Sequence, residues 1–441
     1  KSPHHIDKGL FLYFYIMSIE DLHNLFKKCS GVSSDSRFIV KDELFFGLKG
    51  PNFNGNKYAK KAIEYGAKYA VVDEKKYAID ERYILVKNCL ESLQELSNYH
   101  RNKLKVKVIG ITGSNGKTTS KELINSVLKT NFKTTYTKGN LNNHIGVPLT
   151  LLKITSETEI AIIEMGANQI GEIAFLSKIC NPDFGYITNF GKAHLEGFGS
   201  EEGVVKGKKE LYDYIKEKKG LIFQNNDDHK QIKCVGDYQN VYCFGKSKGD
   251  IKYLVKSANP EIKIKVNETL INSSLFGNHN IENIMAAVAI GKYFKIDLEK
   301  IKIGIEDYIS SNNRSQIIKK GSNKIMLDAY NANPSSMYAA IKFFENFSEN
   351  NKILILGDMF ELGKDSKKYH QEIAEYCRKI KDTKIFLVGE LFCNTTRFKE
   401  FNYSKNIDKL IFKGDLSKIK NSCLFIKGSR GIKLEKVIDN I

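Results

Sequence analysis

The chain has 441 residues, of which 41% are hydrophobic and 27% charged, as in an ordinary globular protein of roughly two to four domains. Its net charge of +18 would suit a nucleic-acid-binding protein, but only seven of its 69 basic residues are arginine, the side chain preferred for phosphate and base contacts. Because the lysines are spread along the whole chain, we expect a basic surface that attracts anionic substrates, and no nucleic-acid partner.

The amino-terminal stretch and the cysteines predict a cytoplasmic location. No apolar run approaches the roughly 20 residues that a membrane-spanning helix needs, so we expect no stable membrane insertion. The apolar stretch 10–17 lacks a convincing cleavage site; we interpret residues 1–16 as a leader of unclear origin and Met17 as the start, a truncated signal peptide being the alternative. The eight cysteines show no CxxC pair, which favours free thiols in a reducing compartment. We expect a monomer.

Short apolar runs, each ending in glycine or a polar residue and followed by a helical pattern, recur along the chain. They are 106–111, 160–166, 184–191, 220–225, 324–330, 352–357, 384–389 and 423–428. Such runs predict buried parallel strands, and their alternation with helices predicts α/β layers. Since ligands of open parallel sheets bind beyond the carboxyl ends of the strands, the polar residues there form the candidate site.

Two predicted boundaries divide the chain into three domains. The first, near 103, follows the helical stretch 90–102, and the second, near 312, lies in a polar Ser-Ser-Asn-Asn stretch. We expect an α/β fold with a smaller N-terminal domain, a central domain whose mostly parallel, P-loop-type sheet carries helices on both faces, and a Rossmann-like C-terminal domain. The predicted spans are 17–103, 104–311 and 312–441.

The strongest local motif is TGSNGKTT at 112–119, which follows a predicted strand and opens a helical pattern. Gly113 and Gly116 let backbone N–H groups approach phosphate oxygens. Lys117 can neutralise the terminal phosphates, and Thr118 can offer its hydroxyl to Mg²⁺. The motif therefore predicts an ATP-binding loop.

The spacing of this motif departs from the usual G-x-x-x-x-G-K-[ST]. Counting back from Lys117, the first glycine is expected at Ile111, but Gly110 stands one residue earlier. The alternative is an ordinary glycine-rich turn between strand and helix. The order of strand, turn, Lys-Thr and helix favours the phosphate loop.

Three more side chains are candidates because of where they stand. Glu164 ends the predicted strand 160–163 and is placed to hold Mg²⁺, which prefers oxygen ligands; a surface or capping glutamate is the alternative. His194 follows the next run in a glycine-rich loop, and a ligand role requires Glu164 and Lys117 nearby. Lys208, in VVKGKKELY, cannot be told from an exposed lysine by residue type alone.

These motifs resemble those of the Mur ligases over nearly all of 17–441. The segments similar to the family's ATP, metal, modified-lysine and base-binding stretches are TGSNGKTT (112–119), GNLNNHIGVPLTLL (139–152), EMGANQIGEI (164–173), NFGKAHLEGFGS (189–200), VVKGKKELY (204–212) and GNHNIENIMAA (277–287). Those similar to the member that adds D-alanyl-D-alanine are SDSR (34–37), LKG (48–50), DAYNANPSSM (328–337), LGDMFELG (356–363) and FIKGSRGIKLE (425–435).

The resemblance implies a role for each matching residue. The implied ATP site is Gly113, Ser114, Asn115, Gly116, Lys117, Thr118, Thr119, His279, Asn280, Asn283, Arg314 and Asp328. The implied magnesium ligands are Thr118, Glu164, His194 and a carbamylated Lys208, and the last three with Lys117 are the implied catalytic residues. The implied substrate-binding residues are Ser34, Asp35, Ser36, Arg37, Lys49, Asn142, Asn143, Tyr330, Asn331 and Asn333.

The resemblance also implies a reaction that uses ATP and Mg²⁺. The carboxylate of UDP-MurNAc-tripeptide attacks the γ-phosphate of ATP and becomes an acyl phosphate, and the amine of D-alanyl-D-alanine then displaces phosphate to form an amide. Such phosphoryl transfer needs placement and charge neutralisation above all. A carbamate would invert the charge of Lys208 and let it accept a metal ion.

Two departures from the family pattern and three alternatives remain. Leu327 precedes Asp328 where the family often has two acidic residues, and Lys209 stands where a small residue is common.

A ligase of the folylpolyglutamate synthase type, or another peptidoglycan ligase, would share the ATP loop but not DAYNANPSSM or LGDMFELG. A nucleic-acid-stimulated P-loop ATPase would need full Walker spacing and clustered arginines, and intact Lys117, Glu164 and His194 argue against a non-catalytic binding module.

Overall fold

The computed structural model describes residues 17–259, 261–311, 313–347, 349–412 and 416–441. The predicted leader 1–16 lies outside these residues, as does position 312 of the second predicted boundary. Packing divides the chain into two units, the first running to residue 105 and including 144–155, the second comprising 106–143 and 156–441. Among the described residues, no helix is both long and apolar enough to span a bilayer.

The α-helices follow one another along both units. In chain order they are α1 (Ile19–Phe26), α2 (Ala59–Glu64), α3 (Cys89–Lys103), α4 (Lys117–Leu128), α5 (Gly146–Leu151), α6 (Glu172–Cys180), α7 (Leu195–Phe198), α8 (Glu201–Glu217), α9 (His229–Val235), α10 (His279–Tyr293), α11 (Leu298–Glu306), α12 (Pro334–Glu345), α13 (Ser366–Cys377), α14 (Glu390–Cys393) and α15 (Ile407–Phe412).

Among the described residues, the strands form five sheets. They are β1 (Val32–Ser33), β2 (Leu44–Phe46), β3 (Lys49–Gly50), β4 (Phe53–Asn54), β5 (Tyr69–Val72), β6 (Tyr83–Leu85), β7 (Lys107–Thr112), β8 (Thr134–Tyr136), β9 (Ile160–Glu164), β10 (Phe184–Ile187), β11 (Leu221–Asn225), β12 (Val241–Gly245), β13 (Ile251–Lys252), β14 (Leu254–Ser257), β15 (Ile262–Val266), β16 (Thr269–Ser273), β17 (Gln316–Lys320), β18 (Asn323–Asp328), β19 (Lys352–Gly357), β20 (Thr383–Val388), β21 (Asn402–Ser404) and β22 (Cys423–Lys427).

The first unit is a small α/β body around a parallel four-stranded sheet in the order β1-β2-β5-β6. Its long helix α3 confirms the helical pattern predicted over 90–102. The helix begins where the Asn88 side chain accepts hydrogen bonds from the backbone N–H groups of Leu90 and Glu91, which satisfies donors that a helix start leaves free. Leu93 and Leu96 of α3 are fully buried in the core of the unit.

A pair of buried histidines joins three segments of the first unit. His100 Nε2 lies 2.8 Å from the carbonyl oxygen of Ile154, which can only accept, so this nitrogen carries the proton. His100 Nδ1 then accepts a hydrogen bond from His23 Nε2 at 3.0 Å. The pair connects α1, α3 and the 144–155 segment, and its hydrogen bonds require the His100 ring to be neutral.

The second unit contains a seven-stranded sheet in the order β13-β12-β11-β10-β7-β9-β8, parallel throughout. The four apolar runs predicted as strands between 106 and 225 are confirmed as β7, β9, β10 and β11. Ile109 and Ile111 pack with α4 in one core, whereas a side chain at Gly110 would meet Leu211 of α8. Alternate residues of a strand face opposite sides, so helices cover both faces of the sheet, as predicted.

Two further sheets complete the second unit. Strands β14-β15-β16 form an antiparallel sheet, which the sequence reading did not predict. A six-stranded sheet follows in the order β17-β18-β22-β19-β20-β21, with only its edge strand β17 antiparallel. It confirms the last four predicted runs and the expected doubly wound α/β architecture. The boundaries at 103 and 312 stay predictions.

Acidification is expected to loosen the first unit through its histidine pair. Burial, with the neighbouring His100, lowers the pKa of His23 to about 4, and burial also lowers the pKa of His100. The unfolded histidines keep a pKa near 6.5, so the unfolded state binds protons first, and stability is lost as the pH falls from about 6.5 toward 4.

Hydrogen-exchange protection of α1 and α3, corrected for intrinsic rates, should therefore decrease between pH 7 and pH 5. The His23→Gln variant keeps a donor for His100 but removes one titrating ring, so its protection should decrease less. An equal decrease in both proteins would contradict the role of the pair.

Candidate functional site

The candidate site lies at the carboxyl end of the seven-stranded sheet, where the chain order reverses. Strand β7 pairs with β9 on one side and β10 on the other. Loops that follow strands on the two sides of such a switch point lead away from each other and leave a crevice between them. The loop 113–116 leaves β7 at this crevice and leads into α4.

Two glycines give this loop its shape. Gly113 has φ +139°, and a Cβ atom there would lie 2.0 Å from the Thr188 hydroxyl. Gly116, at φ +78°, is the residue before α4, and a Cβ there would lie 2.5 Å from Asn283 Oδ1. Only glycine tolerates both the backbone conformation and the close approach, so the loop keeps its backbone N–H groups near the start of α4.

The segment after β10 holds the loop in place. The Thr188 hydroxyl donates to the carbonyl oxygen of Asn115 at 2.6 Å, and the backbone N–H of Asn115 donates to Asn189 Oδ1 at 3.1 Å. The Ser114 hydroxyl donates to the carbonyl oxygen of Gly191 at 2.9 Å. Together these bonds hold the loop against the segment that follows β10.

Lys117 lies over the loop 113–116, at which it is predicted to bind phosphate. Its ammonium donates to the carbonyl oxygens of Gly113 at 2.8 Å and Ser114 at 3.4 Å. Burial lowers the pKa of Lys117, and the negative charge of Glu164 partly opposes this. A triphosphate would offer this ammonium a stronger partner than two carbonyl groups.

Glu164 is almost completely buried at the end of β9, with 1% of its surface exposed. Its Oε1 atom accepts hydrogen bonds from the Thr118 hydroxyl at 3.2 Å and from Asn142 Nδ2 at 2.8 Å. Its Oε2 atom is buried without a hydrogen bond and lies 3.5 Å from the ammonium of Lys121. The prediction that Thr118 and Glu164 come together is thus met by the geometry.

Lys121 is a component of the site that sequence reasoning missed. It is fully buried, lies 3.2 Å from Glu122 as well as near Glu164, and packs 5.8 Å from the ring centroid of Tyr136. Its position one helical turn after Lys117 places both cations on the same side of α4. The spacing between Lys117 and Lys121 is visible in the sequence, but it does not distinguish Lys121 from the many other lysines of the chain.

These residues fit a magnesium ion by the chemistry of their donors. Glu164 has a buried carboxylate oxygen with no hydrogen bond, next to the hydroxyl of Thr118. Among the described residues, no three His, Cys, Asp or Glu side chains cluster as a ready metal site. Magnesium, however, normally keeps several waters and binds one or two protein oxygens together with substrate phosphates.

His194 reaches the site from a strained loop. It has φ +52° and precedes α7, and its Nδ1 atom lies 2.6 Å from Oε2 of Glu361. Glu361, from the LGDMFELG segment, was given no role from the sequence. The neighbouring His194 lowers the pKa of Glu361 despite the opposing effect of burial, and Lys117 lowers it further.

Lys208 is fully buried in α8, not exposed. Its ammonium donates to the carbonyl oxygen of Ala167 at 3.1 Å and lies 5.0 Å from the ring centroid of Phe198. Burial, with the repulsion of Lys117, lowers the pKa of Lys208 well below its usual value. A buried lysine without a carboxylate in hydrogen-bonding contact favours the neutral amine.

The predicted base-binding residues have mostly protein partners. Asn283 accepts a hydrogen bond from the Ser120 hydroxyl at 2.9 Å and donates to Asn280 Oδ1, also at 2.9 Å. Asn280 in turn donates to the carbonyl oxygen of Phe276 at 2.7 Å. Both asparagines are buried and join α10 to α4, whereas His279, next to them, is exposed.

A cationic group lies at the carboxyl edge of the six-stranded sheet. The Arg314 guanidinium stacks 3.6 Å above the ring of Tyr330, and that of Arg430 lies 5.1 Å from the same ring. Asp328 pairs with the buried Lys427 at 2.5 Å. Burial alone would raise the pKa of Asp328, but Lys427 outweighs it and the net shift is downward. Lys427 and Arg430 lie in the FIKGSRGIKLE segment but were given no site role from the sequence.

Three predicted substrate residues contact other groups of the protein. Asn333 caps α12 through Ser336 and donates to Asn115 Oδ1 of the phosphate loop at 2.7 Å. Asn142 contacts Glu164, as described above. The Asn331 side chain accepts a hydrogen bond from the backbone N–H of Ala332. Asn143, the residue after Asn142, is exposed.

The predicted UDP-binding residues belong to the first unit. Asp35 and Arg37 pair with each other at 2.6 Å on the surface, and the Arg37 hydrogen bonds lower the pKa of Asp35 to about 2. Lys49 pairs with Asp73 at 2.7 Å. Ser34 is half-buried and Ser36 buried within the same loop.

Three family models match successive parts of the chain. They are the Mur ligase family, catalytic domain (28–107), the Mur ligase middle domain (111–291) and the Mur ligase, glutamate ligase domain (313–404). The UDP-N-acetylmuramoyl-tripeptide–D-alanyl-D-alanine ligase of Bacillus subtilis is 36% identical over 441 residues, which cover 93% of each chain. The chain belongs to the Mur ligase family.

Solved Mur ligases share the fold. A MurF crystal structure from Acinetobacter baumannii matches with a TM-score of 0.84 at 27% identity and covers 96% of this chain and 98% of that one. A MurF ligase from Thermotoga maritima in complex with ADP matches with a TM-score of 0.81 at 25% identity, over 93% and 96% of the chains.

Removal of the Lys121 charge is expected to destabilise this Mur ligase strongly. The Lys121→Met variant leaves Glu164 buried without its cation, a loss of about 3–5 kcal/mol in the free energy of unfolding. Urea denaturation followed by circular dichroism measures it, since the chain has no tryptophan. Lys133→Met breaks an exposed pair with Glu157 and should change little. Equal effects would contradict the role of Lys121.

Proposed function

We propose that this Mur ligase adds D-alanyl-D-alanine to UDP-MurNAc-tripeptide in peptidoglycan synthesis, with cleavage of ATP to ADP and phosphate. The observation that carries the proposal is the group at the end of the seven-stranded sheet, where Lys117, Thr118 and Glu164 surround a glycine loop. The choice of substrates is supported by the name of the Bacillus subtilis relative, and the nucleotide by the ADP complex of the Thermotoga maritima ligase.

The proposed reaction has two steps. A carboxylate oxygen of the tripeptide attacks the γ-phosphorus, the bond to the bridging oxygen breaks, and ADP leaves. The dipeptide amine then attacks the acyl carbon and loses a proton as phosphate leaves. Lys117 neutralises the terminal phosphates, and Arg314, stacked on Tyr330, adds positive charge from the six-stranded sheet.

Magnesium would be held by Thr118 and Glu164, with His194 as a further ligand. When bound, the ion supplies positive charge that offsets the negative charge on the transferring phosphoryl group. The buried Oε2 atom of Glu164, which has no hydrogen bond, supports this assignment. Lys121 lies 3.5 Å from that atom and supplies positive charge beside the buried carboxylate.

Lys208 is proposed to be carbamylated. Its amine is buried, and its low pKa keeps a neutral nucleophile that can attack carbon dioxide; a nitrogen–carbon bond forms and one proton is released. The product is an anion in place of a cation. That anion would relieve the repulsion between Lys208 and Lys117 and could take part in metal binding.

The other predicted binding residues are proposed either to contact the substrates or to hold the site in shape. Arg37, Ser34, Asp35, Ser36 and Lys49 would hold the UDP end, and the resemblance of the SDSR and LKG segments to those of the family supports this. Tyr330, Asn331 and Asn143 remain candidates for the peptide substrates, and Asp328 for the ribose. Asn280, Asn283, Asn142 and Asn333 have their amides engaged by protein, so we propose that they hold the site in shape. A cytoplasmic monomer is the proposed working form.

The decisive experiment is a phosphate-release assay with UDP-MurNAc-tripeptide and ATP·Mg, with and without D-alanyl-D-alanine. Steady release that requires all three substrates, with formation of the pentapeptide product, is expected. Release with a folate substrate or another amino acid in place of the dipeptide would favour the related ligases, and no release would remove the proposal.

Replacement of Lys117 should abolish turnover while the fold remains. Lys117→Ala removes the positive charge over the phosphate loop, so phosphate release should decrease at least about a hundredfold. The variant loses only two hydrogen bonds, both to carbonyl oxygens. The unfolding midpoint should stay close to wild type. Retained ligase activity in the folded variant would remove the phosphate-loop assignment.

Turnover should depend on dissolved carbon dioxide through Lys208. Protein dialysed in CO₂-free buffer should lose activity and regain it with bicarbonate, and ¹³C NMR after ¹³C-bicarbonate should show a carbamate that is missing in Lys208→Met. Lys206→Met, two residues earlier on α8 and exposed, is the matched control and should keep the signal. A bare ammonium at Lys208 in an active enzyme would refute carbamylation.

A further inference from the structure

We infer that Arg430 is a specificity-determining residue of the ligase, whose guanidinium binds the carboxylate of D-alanyl-D-alanine. The inference rests on the proposed function, because it takes the dipeptide as the amine substrate. It concerns the carboxylate of the dipeptide, a charged group that takes no part in the proposed bond formation.

Arg430 is a cation that lacks a carboxylate partner. Arg37, Arg82 and Arg378 each pair with a carboxylate of the protein. Arg430 has no such partner among the residues that the structure describes, and it is exposed. Asp328, at the same edge of the six-stranded sheet, is already held by a buried lysine. The planar fork of N–H donors on Arg430 is therefore available to a carboxylate, which it can bind through two parallel hydrogen bonds.

The contact with Tyr330 places Arg430 beside the proposed reaction. The guanidinium carbon of Arg430 lies 5.1 Å from the centroid of the Tyr330 ring, and that of Arg314 lies 3.6 Å from the same centroid. Burial lowers the pKa of Lys117, and the positive charge of Arg314 lowers it as well, so Arg314 is within electrostatic reach of the phosphate loop. Arg430 thus shares an aromatic ring with a cation that is proposed to face the phosphates.

The length of the dipeptide fits this arrangement. Both guanidinium carbons lie within 5.1 Å of one ring centroid, and an extended dipeptide spans roughly 7 Å. A dipeptide whose amine lies at the acyl phosphate beside Arg314 can therefore reach Arg430 with its carboxylate. With nucleotide bound, the charge of Arg314 is offset by phosphate, whereas that of Arg430 is not. Arg430 attracts the carboxylate and repels a protonated amine, which favours the orientation with the amine toward the acyl carbon.

The backbone on both sides of Arg430 is fixed by the loop that follows β19. The backbone N–H of Ser429, which is 4% exposed, donates to the carbonyl oxygen of Asp358 at 3.1 Å. The Ser429 hydroxyl accepts from the N–H of Phe360 at 3.1 Å, and a Cβ atom at Gly431 would lie 2.7 Å from the Phe360 ring. An exposed side chain on a backbone held in this way loses less freedom when it binds a ligand.

An ordinary solvated arginine and a second phosphate-binding arginine are the competing interpretations. Arg397 is a suitable example of the first. It is also exposed and lies at a similar distance, 5.5 Å, from the centroid of a tyrosine ring, Tyr403, but that ring is not shared with Arg314. Arg397→Gln is therefore a matched control for the loss of an exposed guanidinium over a tyrosine.

The experiment compares D-alanyl-D-alanine with D-alanyl-D-alaninamide, in which a neutral amide replaces the carboxylate. Phosphate release at saturating ATP·Mg and UDP-MurNAc-tripeptide gives kcat/KM for each of the two. The wild type should prefer the free carboxylate by about 10- to 100-fold, because hydrogen bonds between charged groups are the strong ones. The amide also changes the reactivity of the amine, but this effect cancels when the preference is compared between proteins.

Arg430→Gln should lose this preference. Its kcat/KM for D-alanyl-D-alanine should decrease about 10- to 100-fold, while that for the amide should stay within about twofold of the wild type. Arg430→Lys keeps the charge but not the planar fork, so its preference should lie between the two. Arg397→Gln should keep the full preference. Because both arginines are exposed, the unfolding midpoints of all variants should stay close to wild type.

Three results would overturn the inference in an enzyme that ligates D-alanyl-D-alanine. The first is a wild type that does not distinguish the dipeptide from its amide, and the second is an unchanged preference in folded Arg430→Gln. The third is an unchanged preference with a raised KM for ATP or UDP-MurNAc-tripeptide, which would assign Arg430 to that substrate instead. Failure of the wild type to ligate the dipeptide would refute the proposed function itself.

Discussion

The burial of the Glu164 carboxylate is the interaction on which the geometry of the site depends. A charge removed from water needs hydrogen bonds or a counter-ion, and Glu164 obtains them from separate segments. Thr118 and Lys121 come from α4, and Asn142 from the loop after β8. Satisfying one carboxylate therefore fixes the helix that carries the phosphate loop, and it leaves one oxygen atom without a hydrogen bond at the crevice.

A second constraint comes from the six-stranded sheet, whose loops contact the phosphate-loop region at three places. Asn333 donates to Asn115, the Ser335 hydroxyl accepts from the N–H of Lys192, and Glu361 contacts His194. Because these contacts touch the loop and a proposed ligand directly, any movement of that sheet would change the site. The ligase chemistry and the contacts between the sheets are thus physically coupled.

The predicted strands were the most reliable part of the sequence reading. Eight continuous apolar runs became buried parallel strands, because strands covered on both faces need apolar side chains throughout. The antiparallel β14-β15-β16 sheet was missed, since its alternating exposed and buried residues lack such a run. The sequence of segment 144–155 also gave no sign that the segment packs with the rest of the first unit. That packing depends on contacts between residues far apart in the sequence, such as Ile154 and His100.

The sequence by itself determined the layered α/β architecture, the phosphate loop and the family resemblance, because periodicity and glycine spacing act over short distances. Only the tertiary structure showed that Lys121 and Lys208 are buried, that Asn283 and Asn333 bind protein groups, and that Glu361 meets His194. A lysine or asparagine has the same local pattern at the surface and in the interior. Its role depends on which charges and hydrogen-bond partners distant segments bring to it, and only folding decides that.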